Sequence, residues 1–241
     1  MTYQEQLAQE LAEYDIRLSD AQLALLMRHL ELVIEKNKVV NLTRIDTPES
    51  GITRHVVDSL LLLPSLQETS GTFVDLGTGA GFPGVPLAIA SGRKGVLCDS
   101  VKKKVVAVDE FIGELGLAEQ LSTTSARAEA LGATHKGRFG CVVARAVASL
   151  PVLLEYATPL LCKGGRVILT KGNLSAEERA EGSAAARLCG LAEVEARALE
   201  LPRGEGHREI VVYEKVAPAK LKLPRAVGKA KKEPLGAARQ A

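Results

Sequence analysis

The chain has 241 residues, 46% of them hydrophobic, enough to fill one substantial α/β domain with a small extension and requiring no second catalytic domain. The absence of Trp and an aromatic content of 3% exclude a broad base-stacking platform, while the N-terminal Met1–Glu5 lacks an export pattern and no apolar run reaches membrane-spanning length, so a cytoplasmic protein without membrane contact is expected. The net charge of +2 is uneven: after Val216 seven basic residues (Lys220, Lys222, Arg225, Lys229, Lys231, Lys232 and Arg239) face the single acid Glu233, a net +6 that leaves −4 on residues 1–216.

In chain order, residues 4–36 carry apolar positions at helical spacing, interrupted by the capping signal Ser19-Asp20, and read as a helical N-terminal extension. A break is expected at 37–46, then a further helix from Thr47-Pro48-Glu49 to Leu63, ended by Pro64. From Gly71 strands and helices alternate, the pattern of a mainly parallel sheet. Strands are expected near 72–76, 95–99, 119–124, 139–145, 165–170, 192–200 and 208–215, with helices near 83–91, 101–116, 126–132, 150–161 and 175–189. The sixth strand alternates Ala and Val with Glu and Arg, which places it with the seventh in an antiparallel hairpin at one edge. This divides the chain into an extension (1–64), a central α/β domain (65–216) and a basic tail (217–241) whose prolines argue against a continuous helix. Cys98, Cys141, Cys162 and Cys189 lack C-x-x-C spacing and read as reduced packing residues, with no metal site.

The most informative stretch is Asp75-Leu76-Gly77-Thr78-Gly79-Ala80-Gly81-Phe82-Pro83-Gly84, where a short apolar strand ends in an acid and four glycines follow. Such a turn bends sharply and lets backbone approach a ligand. A second strand ends in Asp99, so two acids sit at strand ends, the edge where open α/β sheets bind ligands. Gly79, Gly81 and Gly84 satisfy G-x-G-x-x-G, but with Asp75 and Gly77 ahead of them a carboxylate would meet an anionic dinucleotide at the mouth of the turn. The D-x-G-x-G-x-G reading suits a cationic, phosphate-free nucleoside such as S-adenosylmethionine, with Asp99 accepting from ribose hydroxyls. A nicotinamide-dependent oxidoreductase stays open as an alternative, as does a non-catalytic RNA-binding protein on the same scaffold. The basic tail makes nucleic acid the natural partner, the alternative being a merely solubilising segment.

Across almost its whole length the sequence resembles the bacterial 16S ribosomal RNA guanine-N7 methyltransferases, the RsmG or glucose-inhibited division protein B family. The resemblance is carried by Asn41-Leu42-Thr43, Arg54-His55-Val56-Val57-Asp58-Ser59-Leu60, the glycine turn, Asp99-Ser100 with Lys102-Lys103-Lys104, Arg127-Ala128-Glu129, Ala144-Arg145-Ala146, Lys171-Gly172 and Leu223-Pro224-Arg225-Ala226-Val227-Gly228-Lys229. Many members have Pro where this chain has Ala80 and Leu where it has Phe82, and both replacements keep the turn small and apolar. The resemblance implies a class I, Rossmann-like methyltransferase fold: a seven-stranded, mostly parallel sheet with an antiparallel last strand and a helical N-terminal extension. S-adenosylmethionine would be held by Asp75, Gly77, Gly79, Gly81, Phe82, Asp99, Ser100, Val101, Ala128 and Glu129, with Arg145 orienting at the reactive end. The implied partner is 16S ribosomal RNA or the small ribosomal subunit, bound by a monomer.

Guanine N7 has a free lone pair, so its methylation needs neither a general base nor a covalent nucleophile, only in-line placement. The sequence carries neither the Pro-Cys pair of pyrimidine C5 methyltransferases nor the N-P-P-Y of amino methyltransferases. Candidate RNA contacts are Asn41, His55, Asp58, Lys171, Arg203, His207, Arg225 and Lys229. Each has a plainer reading: a turn cap for Asn41, a helix-surface pair for His55 and Asp58, and hairpin-tip solvation for Arg203 and His207.

Overall fold

The computed structural model describes residues 1–237; Arg239 of the basic tail lies outside the described residues. The N-terminal extension holds α1 (Tyr3–Ala12) and α2 (Asp20–Val40), each opened by a capping box, from Thr2 with Glu5 and from Ser19 with Gln22. The second helix runs four residues into the expected break and is capped by Asn41, whose backbone is left-handed at φ +50°. The segment expected as one helix to Leu63 is three pieces: α3 (Pro48–Gly51), a π-helical stretch over Ile52–Val57, and α4 (Asp58–Leu60). Pro64 does not end a helix; it sits in the first turn of α5 (Leu63–Gln67), where its missing N–H has no partner to lose.

Strands β1 (Phe73–Leu76), β2 (Gly95–Asp99), β3 (Leu121–Ser125), β4 (Phe139–Arg145), β5 (Leu161–Lys171), β6 (Leu191–Glu200) and β7 (His207–Lys215) form one sheet in the order β3-β2-β1-β4-β5-β7-β6. The first five pair parallel, and β7 runs antiparallel between β5 and β6. The hairpin is therefore at the edge as expected, with β6 outermost; Glu195 and Arg197 are half-buried against Ser65 and Leu61, while Val194, Ala196 and Ala198 are exposed. The remaining helices are α6 (Gly84–Ser91), α7 (Lys102–Glu114), α8 (Ala128–Thr134), α9 (Leu150–Ala157), α10 (Ala176–Cys189) and a short α11 (Lys229–Lys232).

The period-2 alternation of the inner strands sends side chains to two cores. On one face Phe73, Cys141, Val143, Ile168, Ile210 and Val212 pack with the extension (Leu7, Leu11, Leu26, Leu30, Val56) and with α6 and α7. On the other, Val74, Val142, Val167, Leu169, Val211 and Tyr213 pack with α8, α9 and α10, and with Leu223 and Ala230 of the tail. Among the described residues no helix is long and apolar enough to cross a membrane.

Candidate active site

Two cavities open side by side at the carboxyl edge of the sheet and share Ala146, the residue after β4, at φ +54°. The first, of about 270 Å³, lies over the ends of β1 to β4 and is lined by Gly77, Gly79, Cys98, Asp99, Ser100, Ala126, Arg127, Ala128, Glu129, Val147 and Tyr156, with Lys104 and Lys231. Gly77 has φ +79°, and a Cβ there would lie 2.5 Å from Val147 Cγ2, so only glycine fits. The Asp99 carboxylate ties two backbone turns together, its Oδ2 accepting from Gly79 N–H at 3.0 Å and its Oδ1 from Val101 N–H at 2.9 Å. Cys98 lines this cleft, but burial pushes its thiol up to about 12, which rules it out as a thiolate nucleophile near neutrality. Burial, with Glu129 nearby, likewise pushes the Tyr156 phenol up to about 12.

Six expected cofactor residues meet in this cleft: Gly77, Gly79, Asp99, Ser100, Ala128 and Glu129. The others do not line it. Asp75 is fully buried beneath the turn, where its Oδ2 accepts from Gly84 N–H at 2.9 Å, and burial pushes its carboxyl up to about 7. It is thus not a carboxylate at the mouth, and the expected repulsion of an anionic cofactor by Asp75 does not hold. Gly81 and Phe82 turn away because the second half of the loop packs on the extension: a Cβ on Gly81 would lie 2.9 Å from His29 Nε2, and the Phe82 ring stacks on His55 (4.5 Å between centroids) and tilts against His29 (4.6 Å). Val101 contributes its amide to Asp99 while its side chain is exposed.

The second cavity, of about 240 Å³, is lined by Ile45, Arg54, His55, Asp58, Arg145, Thr170, Lys171, Gly172 and Arg208. Arg145 lines this second cavity and not the first. Its Nη1 donates to Asp58 Oδ2 (3.0 Å) and Arg54 O (2.8 Å), and its Nη2 to His55 Nδ1 (3.1 Å). Because Nδ1 accepts, the His55 proton sits on Nε2 and is donated to Thr43 Oγ1 at 2.9 Å. Burial and the Arg145 charge hold the His55 pKa at about 3, so the ring is neutral at physiological pH. Asp58 Oδ1 accepts from Arg208 Nε at 3.0 Å, so one buried carboxylate bridges two guanidinium groups. Arg145 also lies 5.6 Å from the Phe82 ring centroid, within cation–π range.

Lys171 lines this cavity, but its ammonium is held by Glu178 (2.8 Å) and Ala148 O (2.8 Å) and is not a free phosphate ligand. The remaining expected RNA contacts lie elsewhere. Asn41 caps α2 on the surface, two residues before Thr43, whose hydroxyl bonds His55. Arg203 pairs with Glu205 and approaches Glu10, and His207 Nδ1 bonds Glu200 at 2.6 Å. Arg225 is a structural latch: its Nε and Nη2 grip the carboxylate of Glu155, which is 2% exposed, the Nε contact at 2.7 Å. Lys229 pairs with Glu233 on the surface. The tail these residues belong to folds back onto the first cleft, where Gly228 N–H donates to Glu129 Oε1 at 2.8 Å and Lys231 lines the wall.

Sequence reasoning read Lys231 only as one charge of a basic tail facing nucleic acid, and missed Arg208, Thr170, Tyr156 and the Ala146-Val147 step. The last lies just past the end of β4, where the strand-edge rule pointed; the others had no local signal, since sheet pairing and the folded-back tail bring them in from distant parts of the chain. Among the described residues no three His, Cys, Asp or Glu side chains come together as a metal site.

Residues 22–210 match the family described as rRNA small subunit methyltransferase G. The chain is 40% identical over 224 residues to the ribosomal RNA small subunit methyltransferase G of Desulfitobacterium hafniense, covering 92% of each, and 42% identical over 212 residues to that of Deinococcus radiodurans, covering 86% of this chain and 83% of the relative. Its fold is similar to an O-methyltransferase from Bacillus cereus solved with SAH (TM-score 0.54, 18% identity, 86% of this chain and 96% of that one). It is also similar to a geranyl diphosphate methyltransferase solved with SAM (TM-score 0.55, 15% identity, 67% and 85%).

Proposed function

From its membership of the rRNA small subunit methyltransferase G family, to which this chain belongs, we propose that it transfers a methyl group from S-adenosylmethionine to N7 of one guanine in 16S ribosomal RNA. The observation that carries the reading is the pair of cavities joined at Ala146, one suited to a nucleoside cofactor and the other to a base.

The first cleft fits the cofactor by its donor set. A carboxylate at the end of β2 faces a cleft walled by Gly77, Gly79, Ala126 and Ala128, and the missing Cβ at Gly77 keeps the wall open. Asp99 would hold the ribose, since each of its oxygens uses one lone pair on a backbone amide and retains another. Ala128 and Val147 would flank the adenine, and Ser100 and Glu129 would supply polar contacts at its edges. When bound, S-adenosylmethionine supplies an electrophilic methyl group on a sulfonium.

What the chain supplies is placement. N7 needs no deprotonation, and the neutral His55, the Cys98 thiol and the engaged Asp58 are none of them poised as bases or nucleophiles. Arg145 is fixed on three sides by the extension, so it acts as an orienting group at the junction of the two cavities. The purine gains positive charge as N7 is methylated; the Asp58 carboxylate, shared by two guanidinium groups, tempers their charge next to the base. The reading carries with it a ribosomal RNA partner, and we propose that the protein meets it in the cytoplasm as a monomer. The nicotinamide and scaffold alternatives draw no support from the relatives.

The test is transfer of labelled methyl from S-adenosylmethionine to unmodified small-subunit RNA and to 30S particles, with the product base mapped by cleavage at N7-methylguanosine. Label on a single guanine, lost in Asp99→Ala, is the expected result; measurable cofactor binding with no label on either acceptor would refute the reading.

A further inference from the structure

We propose that the RNA strand beside the target guanine crosses the mouth of the cofactor cleft, held there by Lys104, Arg127 and Lys231, so that S-adenosylmethionine enters first and cannot leave while RNA is bound. The inference rests on the methyltransferase reading above and adds the path of the RNA and the order of binding.

The two cavities differ in the state of their cations. Four line the second cavity, and each has a carboxylate: Arg145 and Arg208 share Asp58 (3.0 Å each), Lys171 pairs with Glu178 (2.8 Å), and Arg54 lies 3.7 Å from Glu205. Three line the cofactor cleft: Lys104 from α7, Arg127 just before α8 and Lys231 from α11. None of these three side chains has an ion-pair or hydrogen-bond partner among the described residues. The acids of that cleft are turned to backbone amides instead, Asp99 to those of Gly79 and Val101 and Glu129 to that of Gly228.

This charge does nothing for the cofactor. S-adenosylmethionine carries a sulfonium, an ammonium and one carboxylate; it is a net cation without phosphate, and a single carboxylate does not call for three cations. The three do little for the fold either. Arg127 and Lys231 are exposed, and Lys104 stands in the first turn of α7, where the helix dipole disfavours a positive charge. Unneutralised cations that converge from three elements on one rim fit a polyanion, and the substrate of the proposed reaction is one.

The junction of the cavities gives the strand its direction. A guanine seated in the second cavity is joined on both sides to ribose and phosphate, and that cavity meets the cofactor cleft at Ala146. Phosphates that stay over the second cavity find only cations already paired with carboxylates, whereas phosphates that pass over Ala146 reach the three that are free. That path lays the strand across the opening of the cofactor cleft. The docked tail sets one of the three in place, since Gly228, three residues before Lys231, is bonded to Glu129, and Arg225 to the buried Glu155.

The experiment compares wild type with the double variant Lys104→Gln, Lys231→Gln and with the control Lys136→Gln, Lys163→Gln, which removes the same charge from two exposed lysines at the amino edge of the sheet. Binding of unmodified small-subunit RNA is measured against salt, with S-adenosylhomocysteine present so that no transfer occurs. The slope of log K against log salt should be shallower by about 1.5 in the double variant, the loss of two phosphate contacts, and by less than about 0.5 in the control. At about 0.1 M salt the double variant should bind RNA about tenfold more weakly, while its affinity for S-adenosylmethionine without RNA should not fall. Release of labelled S-adenosylhomocysteine into excess unlabelled compound should be slowed about tenfold or more by saturating RNA in wild type, and by no more than about twofold in the double variant. Equal salt slopes in double variant and control, wild-type release indifferent to RNA, or release slowed equally in both proteins would overturn the inference while leaving the methyltransferase reading intact. Weaker S-adenosylmethionine binding by the double variant without RNA would assign the lysines to the cofactor and overturn it as well. Absence of transfer by wild type to any RNA would instead refute that reading, and this inference with it.

Discussion

The guanidinium of Arg145 and the carboxylate of Asp58, 3.0 Å apart and both largely shielded from solvent, join the end of β4 to the N-terminal extension. Asp58 also holds Arg208, so its removal leaves two largely shielded guanidinium groups without their shared carboxylate. Asp58→Ala should lower unfolding free energy by about 3 kcal/mol, the scale for breaking a buried pair by deleting one partner. Urea unfolding measures it. A loss below about 1 kcal/mol would mean that the extension is held by its apolar contacts alone.

Gly77→Ala adds a methyl 2.5 Å from Val147 at φ +79°. The strain falls on the wall of the cofactor cleft, so affinity for S-adenosylmethionine should drop by about tenfold or more while stability falls by about 1–3 kcal/mol. Calorimetric titration of cofactor against both proteins gives the ratio, and unchanged affinity would remove Gly77 from the cleft.

Arg225→Ala frees the tail. Glu155, 2% exposed, is left without its bidentate partner, and the Gly228–Glu129 contact on the wall of the cofactor cleft loses its anchor. Stability should fall by about 3 kcal/mol. Cofactor affinity should fall as well, which distinguishes a tail built into the cleft from one that touches only RNA. Proteolysis between Val216 and Lys232 should become faster, and resistance equal to wild type would show the tail docked without Arg225.

The pH dependence of stability has opposing contributions. Burial holds His29 at about 4 and, with Arg145, His55 at about 3, so between these values and about 6.5 the unfolded chain binds more protons and stability rises with pH. Asp75 is raised to about 7 by burial; it binds a proton when folded and not when unfolded above about 4, so its contribution falls as pH rises. At about pH 5.5 two histidines act against one carboxyl. Relative to wild type, the slope of stability against pH should steepen in Asp75→Asn and flatten in His29→Gln, each by about 1.4 kcal/mol per pH unit. Urea midpoints at about pH 5 and pH 6 test this, and parallel slopes in all three proteins would contradict it.

The amino-acid sequence by itself determined the local chemistry of this protein. Short apolar runs between helical segments placed the seven strands, the glycine turn after Asp75 and the acid at Asp99 pointed to the sheet edge where the first cleft opens, and the alternating charges of residues 192–200 placed β6 with β7 in an edge hairpin. These features are legible because each depends on neighbours within a few residues: backbone φ, side-chain alternation and the end of a strand. Direction and distance were decided only by tertiary structure. Asp75 and Phe82 sit in the glycine turn yet point under it, because α6 and the extension pack against that face. Arg145 and Arg208 lie 87 and 150 positions from Asp58 along the chain, and sheet register with the docked extension brings all three to one cavity. The basic tail read as an RNA contact because charge is visible in a sequence; that Arg225 is consumed by a buried Glu155 is not, since burial is a property of the packed chain.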